Sequence, residues 1–169
     1  MAVTKISSTP FPMQFTGNET LIAKVGVDGK ALAINELKKL EAESKTVIIT
    51  DSFLFESGGE SNYQDTIRDI LLSLGANKII HVSYRGQGEQ TVREHVKNAL
   101  HAKGCLFEFK AAQIHDRYWL CLESKKAISM NSISGLGKKT SSITTLEADE
   151  VSDLIDELKA QGVISNADK

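Results

Sequence analysis

The chain has 169 residues and a formal net charge of −2, from 20 lysines and arginines against 22 aspartates and glutamates. This length fits one compact domain rather than two. Hydrophobic residues make up 41% of the chain and charged residues 25%, which excludes collagen-like and largely disordered classes. The near-neutral balance provides no overall positive field for nucleic acid or anionic lipid, so any phosphate-binding surface has to be local.

We next consider which cofactors and which cellular compartment the sequence predicts. Cys105 and Cys121 lie in apolar runs without the spacing of a metal site or a disulfide framework. His81, His95 and His101 show no metal-ligand spacing either, so we predict no structural zinc and no cofactor. No segment has the apolar length of a signal peptide or of a membrane span. We therefore predict a cytoplasmic protein without a transmembrane segment.

The first predicted elements are a lead-in and a hairpin. Residues 1–12 are polar, carry both prolines and are expected to be loosely ordered. The apolar runs MQF and LIAKVGV that follow predict two antiparallel strands. Apolar residues then recur with helical spacing from Lys30 to about Ser44.

Two strand–loop–helix units come next. The strands are TVIIT and KIIHVSY, and the helices that follow them end at Gly75 and Gly104. A third strand, CLFEFK, completes this part of the chain. Strands that alternate with helices predict parallel pairing, with ligands bound beyond the carboxyl ends of the strands.

After residue 110 the pattern changes. The strands IHDRYWLCLE and AISMN are separated by too few residues for a crossover helix, so they should pair antiparallel. The segment SISGLGKK leads to a last strand, SSITTL, and Thr144 with Glu147 predicts the capping box of a last helix with an acidic, solvated outer face. We therefore predict an α/β domain at residues 13–164, with a mixed, largely parallel central sheet flanked by helices, and a tail at residues 165–169.

The triplet His115-Asp116-Arg117 is the first candidate for chemistry. On the predicted strand IHDRYWLCLE, His115 and Arg117 point to one side of the sheet and Asp116 to the other. An imidazole can act as a nucleophile or acid, and a guanidinium can hold an oxyanion with two hydrogen bonds. The alternative is a partly buried ionic cluster in which Asp116 pairs with a cation.

The glycine-rich segment 132–139 is the second candidate. Its glycines let the backbone approach an anion, and Lys138 and Lys139 add positive charge. It does not match a P-loop, because Ser132 replaces the first glycine and Lys139 replaces the final serine or threonine. The alternative is a solvated turn.

Together, these segments resemble the phospholipase-D-like (HKD-type) superfamily. IHDRYWLCLE followed by AISMNSISGLGKK, with an earlier strand ending in ITDSFLF, is similar to a single-motif variety with HDR in place of histidine-x-lysine. That variety occurs in small bacterial defence-associated proteins and in the domain C-terminal to microtubule-interacting-and-trafficking (MIT) domains. The resemblance runs from about residue 46 to residue 146.

The resemblance implies roles for particular residues. The nucleophilic histidine falls on His115, the phosphate-holding cation on Arg117 and a phosphate-contacting serine on Ser132. The usual aspartate seven residues after the histidine is replaced by Leu122. Since such a carboxylate fixes the tautomer of the histidine and stabilises the imidazolium, this departure weakens the expectation of catalysis. The resemblance also implies a surrounding set of phosphate-binding residues, namely Asp51, Ser52, Ser134, Lys138 and Lys139.

Three interpretations of function follow. The first is a metal-independent phosphodiesterase or nuclease that acts on nucleic acid in preference to phospholipid, with a role in bacterial defence against mobile DNA. The second is a catalytically degenerate binding or assembly module for a phosphorylated ligand or a protein partner. The third is an unrelated α/β domain with a coincidental HDR. Because phospholipase-D-type catalysis uses two histidine motifs and this chain carries one, the first interpretation predicts a homodimer that brings two copies of His115 together.

Overall fold

A computed structural model describes the backbone of residues 3–6 and 13–16 and the whole of residues 19–165. Most of the predicted lead-in, and residues 166–169 of the predicted tail, lie outside the described residues. Within the lead-in, Val3–Ile6 forms strand β1 at one edge of the sheet.

The described secondary structure follows the predicted order closely. Strands β2 (Met13–Thr16) and β3 (Thr20–Ala23) form the predicted antiparallel hairpin. Short 3-10 turns follow the first helix and the eighth strand, at Lys38–Leu40 and Ile133–Gly135. The remaining elements in chain order are α1 (Gly29–Leu37), β4 (Thr46–Thr50), α2 (Tyr63–Ser73), β5 (Lys78–Ser83), α3 (Gln90–Ala102), β6 (Leu106–Ala111), β7 (Tyr118–Cys121), β8 (Lys126–Met130), β9 (Ser141–Thr145) and α4 (Ala148–Ala160).

The described strands form one mixed sheet in the order β1-β2-β3-β9-β8-β7-β4-β5-β6. The predicted α/β fold with a mixed central sheet flanked by helices is confirmed. Parallel pairing is confined to β4-β5 and β5-β6, so the sheet is less parallel than the predicted, largely parallel one. The connections between β7 and β8 and between β8 and β9 are too short for a crossover helix. These three strands therefore pair antiparallel.

The sheet separates two apolar layers. Ile49 of β4 faces the layer that contains residues of α1, α2 and α3, whereas Ile48 faces the layer that contains residues of α4. The acidic outer face of α4 is exposed, as predicted. Its capping box is formed by Glu147 and Glu150 rather than by Thr144 and Glu147, because β9 continues through Thr145 before the helix begins.

One edge of the sheet collects the loops that carry the candidate residues. The carboxyl ends of β4, β5 and β6 lie there, and so do the start of β7 and the end of β8, because β7 runs antiparallel to both β4 and β8. We call this edge the carboxyl edge. The segments that meet at it are residues 51–62, 84–89, 112–117 and 131–140.

In the part of the chain that the structure describes, no helix is long and apolar enough to cross a membrane.

Candidate functional site

The HDR triplet lies in the segment before β7 rather than on a strand, so the prediction of strand alternation across it is wrong. Regular pairing ends at Thr50 and Tyr118. The Thr50 hydroxyl donates to the carbonyl oxygen of Asp116 at 2.9 Å and accepts from the amide of Tyr118 at 2.9 Å. These side-chain hydrogen bonds replace the backbone hydrogen bonds between β4 and β7 beyond Thr50. The positions of His115 and Arg117 therefore depend on their own side-chain contacts rather than on regular strand pairing with β4.

Arg117 is held at the carboxyl edge by a carboxylate and a ring. Its Nε lies 3.4 Å from Oδ1 of Asp51, and its guanidinium carbon lies 4.9 Å from the centroid of the Phe53 ring. Asp51 is only 3% exposed and accepts a hydrogen bond from the Phe53 amide at 2.9 Å. Burial raises the pKa of Asp51, while the Phe53 amide and Arg117 act in the opposite direction. The side chain of Arg117 is 26% exposed, so a fixed guanidinium remains accessible to an anion.

His115 is exposed and packs on an aromatic ring. Its ring centroid lies 4.1 Å from that of Tyr84, with 41° between the planes. Tyr84 is positioned in turn because its amide donates to the hydroxyl of Ser52 at 3.1 Å. An open groove of about 410 Å³ is lined by both His115 and Arg117, together with Asp116, Ser129, Met130, Asn131 and Ser142. The structure therefore brings the two main candidate residues to one groove.

The other predicted phosphate-binding residues lie around this groove rather than in it. Ser52 is buried, and its hydroxyl is used by Tyr84. Ser132 and Ser134 bond to each other, with 2.6 Å between their hydroxyl oxygens. Lys138 pairs with Glu60 of the 51–62 loop at 2.6 Å, while Lys139 is exposed. Ser132 does not line the groove that holds His115 and Arg117.

The 131–140 loop is anchored by close backbone contact with the segment before α1. The amide of Gly26 donates to the carbonyl oxygen of Gly137 at 2.8 Å. Gly137 has φ +77°, and a Cβ there would lie 2.2 Å from the carbonyl oxygen of Val27. Only glycine fits this position without a shift of the loop.

Replacing Gly137 by alanine should destabilise the protein through both the left-handed backbone and the collision with Val27. Gly162, at φ +72° with nothing within 4 Å of its Cβ position, is a matched control for the backbone contribution alone. We expect Gly162→Ala to cost about 1–2 kcal/mol and Gly137→Ala about 1–3 kcal/mol more. Urea denaturation of the two variants measures the difference. Equal costs would contradict the close approach of the two segments.

The position at which the resemblance predicts an aspartate lies at the opposite edge of the sheet. β7 runs away from His115, so Leu122 follows the far end of that strand. Glu123 beside it accepts from the amide of Thr46 at 2.9 and 3.1 Å, at the start of β4. Neither residue can orient the imidazole of His115, and Glu123 cannot replace the missing aspartate.

The structure adds Phe53, Tyr84 and Arg85 to the residues predicted from sequence. The guanidinium carbon of Arg85 lies 4.6 Å from the centroid of the Phe53 ring, so Arg85 and Arg117 share one aromatic side chain. Tyr84 and Arg85 directly follow β5, at the carboxyl end where ligands of parallel strands bind. Their position directly after a predicted strand was the sequence signal that could have identified these two residues.

An acidic groove lies on the other side of His115. This groove, of about 770 Å³, is bordered by Asp116 and by Glu150, Asp153 and Glu157 of α4. His115 and Asp116 line both grooves, whereas Arg117 lines only the smaller one and the three carboxylates of α4 line only the larger one.

No group of three or more histidine, cysteine, aspartate or glutamate side chains that could hold a metal ion occurs within the described residues.

By its fold, this protein is an α/β domain with a mixed sheet, and a groove at the carboxyl edge is lined by His115, Asp116 and Arg117. No protein-family model matches the sequence, and no curated protein matches it. Among solved structures, the chain is similar to the archaeal chromatin protein TrmBL2, described as showing a novel mode of DNA binding. The TM-score is 0.45 with 11% identity, and the match covers 83% of this chain and 50% of that chain. This chain thus spans about half the length of TrmBL2.

Proposed function

We propose that this domain binds a phosphodiester, with nucleic acid as the preferred class of ligand, in the groove that His115 and Arg117 line. The observation that carries the proposal is that Arg117 is fixed at this groove by Asp51 and Phe53 while its side chain stays partly exposed. A guanidinium that is already held in place loses less conformational entropy when it binds phosphate. His115 supplies a second polar group from the same groove.

Binding is supported better than turnover. A nucleophilic histidine is normally oriented by a carboxylate that also stabilises its charged form. Here Leu122 and Glu123 lie at the opposite edge, and the contact that orients His115 is the Tyr84 ring. A ring contact holds the plane of the imidazole but does not compensate a developing positive charge as a carboxylate would.

Hydrolysis is the second candidate, because His115 is exposed at the edge of the domain, where another copy of the chain can reach it. In that route one imidazole attacks phosphorus and displaces the alkoxide, which takes a proton from the second histidine, and water then hydrolyses the phosphohistidine. The route needs a two-fold dimer with its axis close to His115.

Arg117→Gln should weaken binding of a labelled single-stranded DNA oligonucleotide about ten- to a hundredfold, because it removes charge-assisted hydrogen bonds to phosphate. Fluorescence anisotropy in EDTA at low salt measures the affinity. The matched control is Lys103→Gln, which removes one positive charge from the end of α3 at the opposite edge and should change affinity less than twofold. The double variant Asp51→Asn/Arg117→Gln avoids a buried unpaired carboxylate and should bind as weakly.

Equal losses in the Arg117 and Lys103 variants would show non-specific charge attraction and overturn the proposal. The same samples decide between binding and hydrolysis. Cleavage of the oligonucleotide in EDTA that disappears in His115→Ala favours the phosphodiesterase, whereas binding with intact oligonucleotide favours the binding module.

A further inference from the structure

Two guanidinium groups share a single phenyl ring at the carboxyl edge. The guanidinium carbons of Arg85 and Arg117 lie 4.6 and 4.9 Å from the centroid of Phe53. Arg85 reaches this ring from the segment after β5, where its amide donates to the hydroxyl of Ser83 at 3.0 Å. The ring fixes two like charges near one another, which costs electrostatic free energy unless an anion compensates them.

The two arginines differ in their acidic partners. Arg117 faces the buried carboxylate of Asp51 at 3.4 Å. Among residues 19–165, no ion pair joins Arg85 to a carboxylate, and its side chain is exposed. The charge of Arg85 is therefore left for a ligand, beside a ring that also holds Arg117.

The acidic groove limits the direction in which a bound polyanion can extend from His115. A strand that passes His115 toward α4 meets Glu150, Asp153 and Glu157, which repel its phosphates, while Asp116 lines both grooves and does not distinguish the two directions. A strand that passes His115 toward the end of β5 meets Arg85 instead. The charges on the two sides of His115 thus select one direction for a ligand with more than one phosphate.

We infer that Arg85 binds the phosphate next to the one held by Arg117, so that the site takes a strand with two or more consecutive phosphates in preference to a lone phosphodiester. This inference rests on the proposed function at His115 and Arg117. Phe53 acts as a positioning residue, because it sets the place of both guanidinium groups without a charge of its own. Arg85 is a binding residue that the HDR resemblance does not include.

Two short ligands without terminal phosphates test the inference on the full chain. Dithymidine monophosphate carries one phosphate and trithymidine diphosphate carries two. We expect the wild-type protein to bind the two-phosphate ligand about tenfold more tightly in an NMR titration. Arg85→Gln should reduce that preference to less than twofold, mainly by lowering the affinity for the two-phosphate ligand. Arg117→Gln should lower the affinity for both ligands, whereas Lys103→Gln should lower the affinity for neither.

Salt dependence gives a second readout. With a longer single-stranded oligonucleotide, the slope of log affinity against log salt should be smaller in magnitude by about 0.7 in Arg85→Gln, as expected when one phosphate contact is lost. If Arg117→Gln weakens both short ligands but Arg85→Gln changes neither, the inference about Arg85 fails alone. If Arg85→Gln weakens both ligands equally, Arg85 contacts the same phosphate and the inference is also overturned. If Arg117→Gln weakens neither ligand, the proposed function itself fails.

Discussion

Replacing Trp119 by alanine should lower the free energy of unfolding by about 3–5 kcal/mol, the cost of removing a large aromatic side chain from a packed core. Trp119 is fully buried at 0% exposure. It lies in register between Ile49 of β4 and Ile128 of β8, on the side of the sheet covered by the first three helices. Since Trp119 is the single tryptophan of the chain, urea denaturation has to be followed by far-ultraviolet circular dichroism rather than by tryptophan fluorescence.

The variant Trp119→Phe distinguishes the effect of lost side-chain volume from the effect of removing the indole N–H group. The indole Nε1 of Trp119 is buried without a hydrogen-bond partner among the described residues. A buried, unpaired donor is unfavourable by about 1–3 kcal/mol, and phenylalanine removes it while filling most of the space. We therefore expect Trp119→Phe to cost no more than about 1–2 kcal/mol. A cost below about 1 kcal/mol for the alanine variant would contradict tight packing around β7.

The local elements of the fold could be predicted because their signals are short-range. TVIIT is apolar on both faces, and it forms β4, which is covered by a layer on each side. The β7-β8 hairpin followed from the short separation of its strands. What the sequence does not encode locally is the insertion of β7 beside β4 rather than beside β6. That long-range pairing joins the parallel strands β4, β5 and β6 to the antiparallel part of the sheet.

The arrangement of the candidate residues could be predicted where it depends on strand ends, but not where it depends on side-chain geometry. The resemblance implied that Asp51 lies near Arg117, and the two residues meet because the end of β4 and the start of β7 lie at one edge. It did not indicate that the Thr50 hydroxyl would end the ladder before the HDR segment. Nor did it reveal that one ring, Phe53, would hold both Arg85 and Arg117, because the two arginines lie on connections that are distant in sequence.

The buried imidazole of His81 should make stability fall in mild acid. His81 is 1% exposed, and burial is the main cause that lowers its pKa from 6.5 to about 4. Its Nε2 bonds to the carbonyl oxygen of Asp51 at 2.8 Å, while Nδ1 is buried without a partner among the described residues. The rings of Phe55 and Phe109 lie 5.0 and 5.7 Å away, so a proton on Nδ1 would be in apolar surroundings.

The direction of the pH effect on stability follows from the number of protons that the folded and unfolded states bind. Between pH 6.5 and about 4 the unfolded chain binds a proton at His81 that the folded chain does not, so the free energy of unfolding falls as the pH falls through this window. The full loss is about 3 kcal/mol, at about 1.4 kcal/mol for each pH unit. Asp51 acts in the opposite sense, because its raised pKa favours the folded state as the pH falls, and it reduces the net slope.

His81→Gln should remove the His81 contribution, since a glutamine amide can still donate to the carbonyl oxygen of Asp51 but does not titrate. His101→Gln, at an exposed position in the last turn of α3, is the matched control and should keep the wild-type slope. Urea denaturation at several values between pH 4 and pH 7 measures all three proteins. A slope in His81→Gln as steep as that of the wild type would assign the acid sensitivity to other groups. A slope that is flat or reversed in His81→Gln would assign the acid sensitivity to His81, since Asp51 acts in the opposite sense.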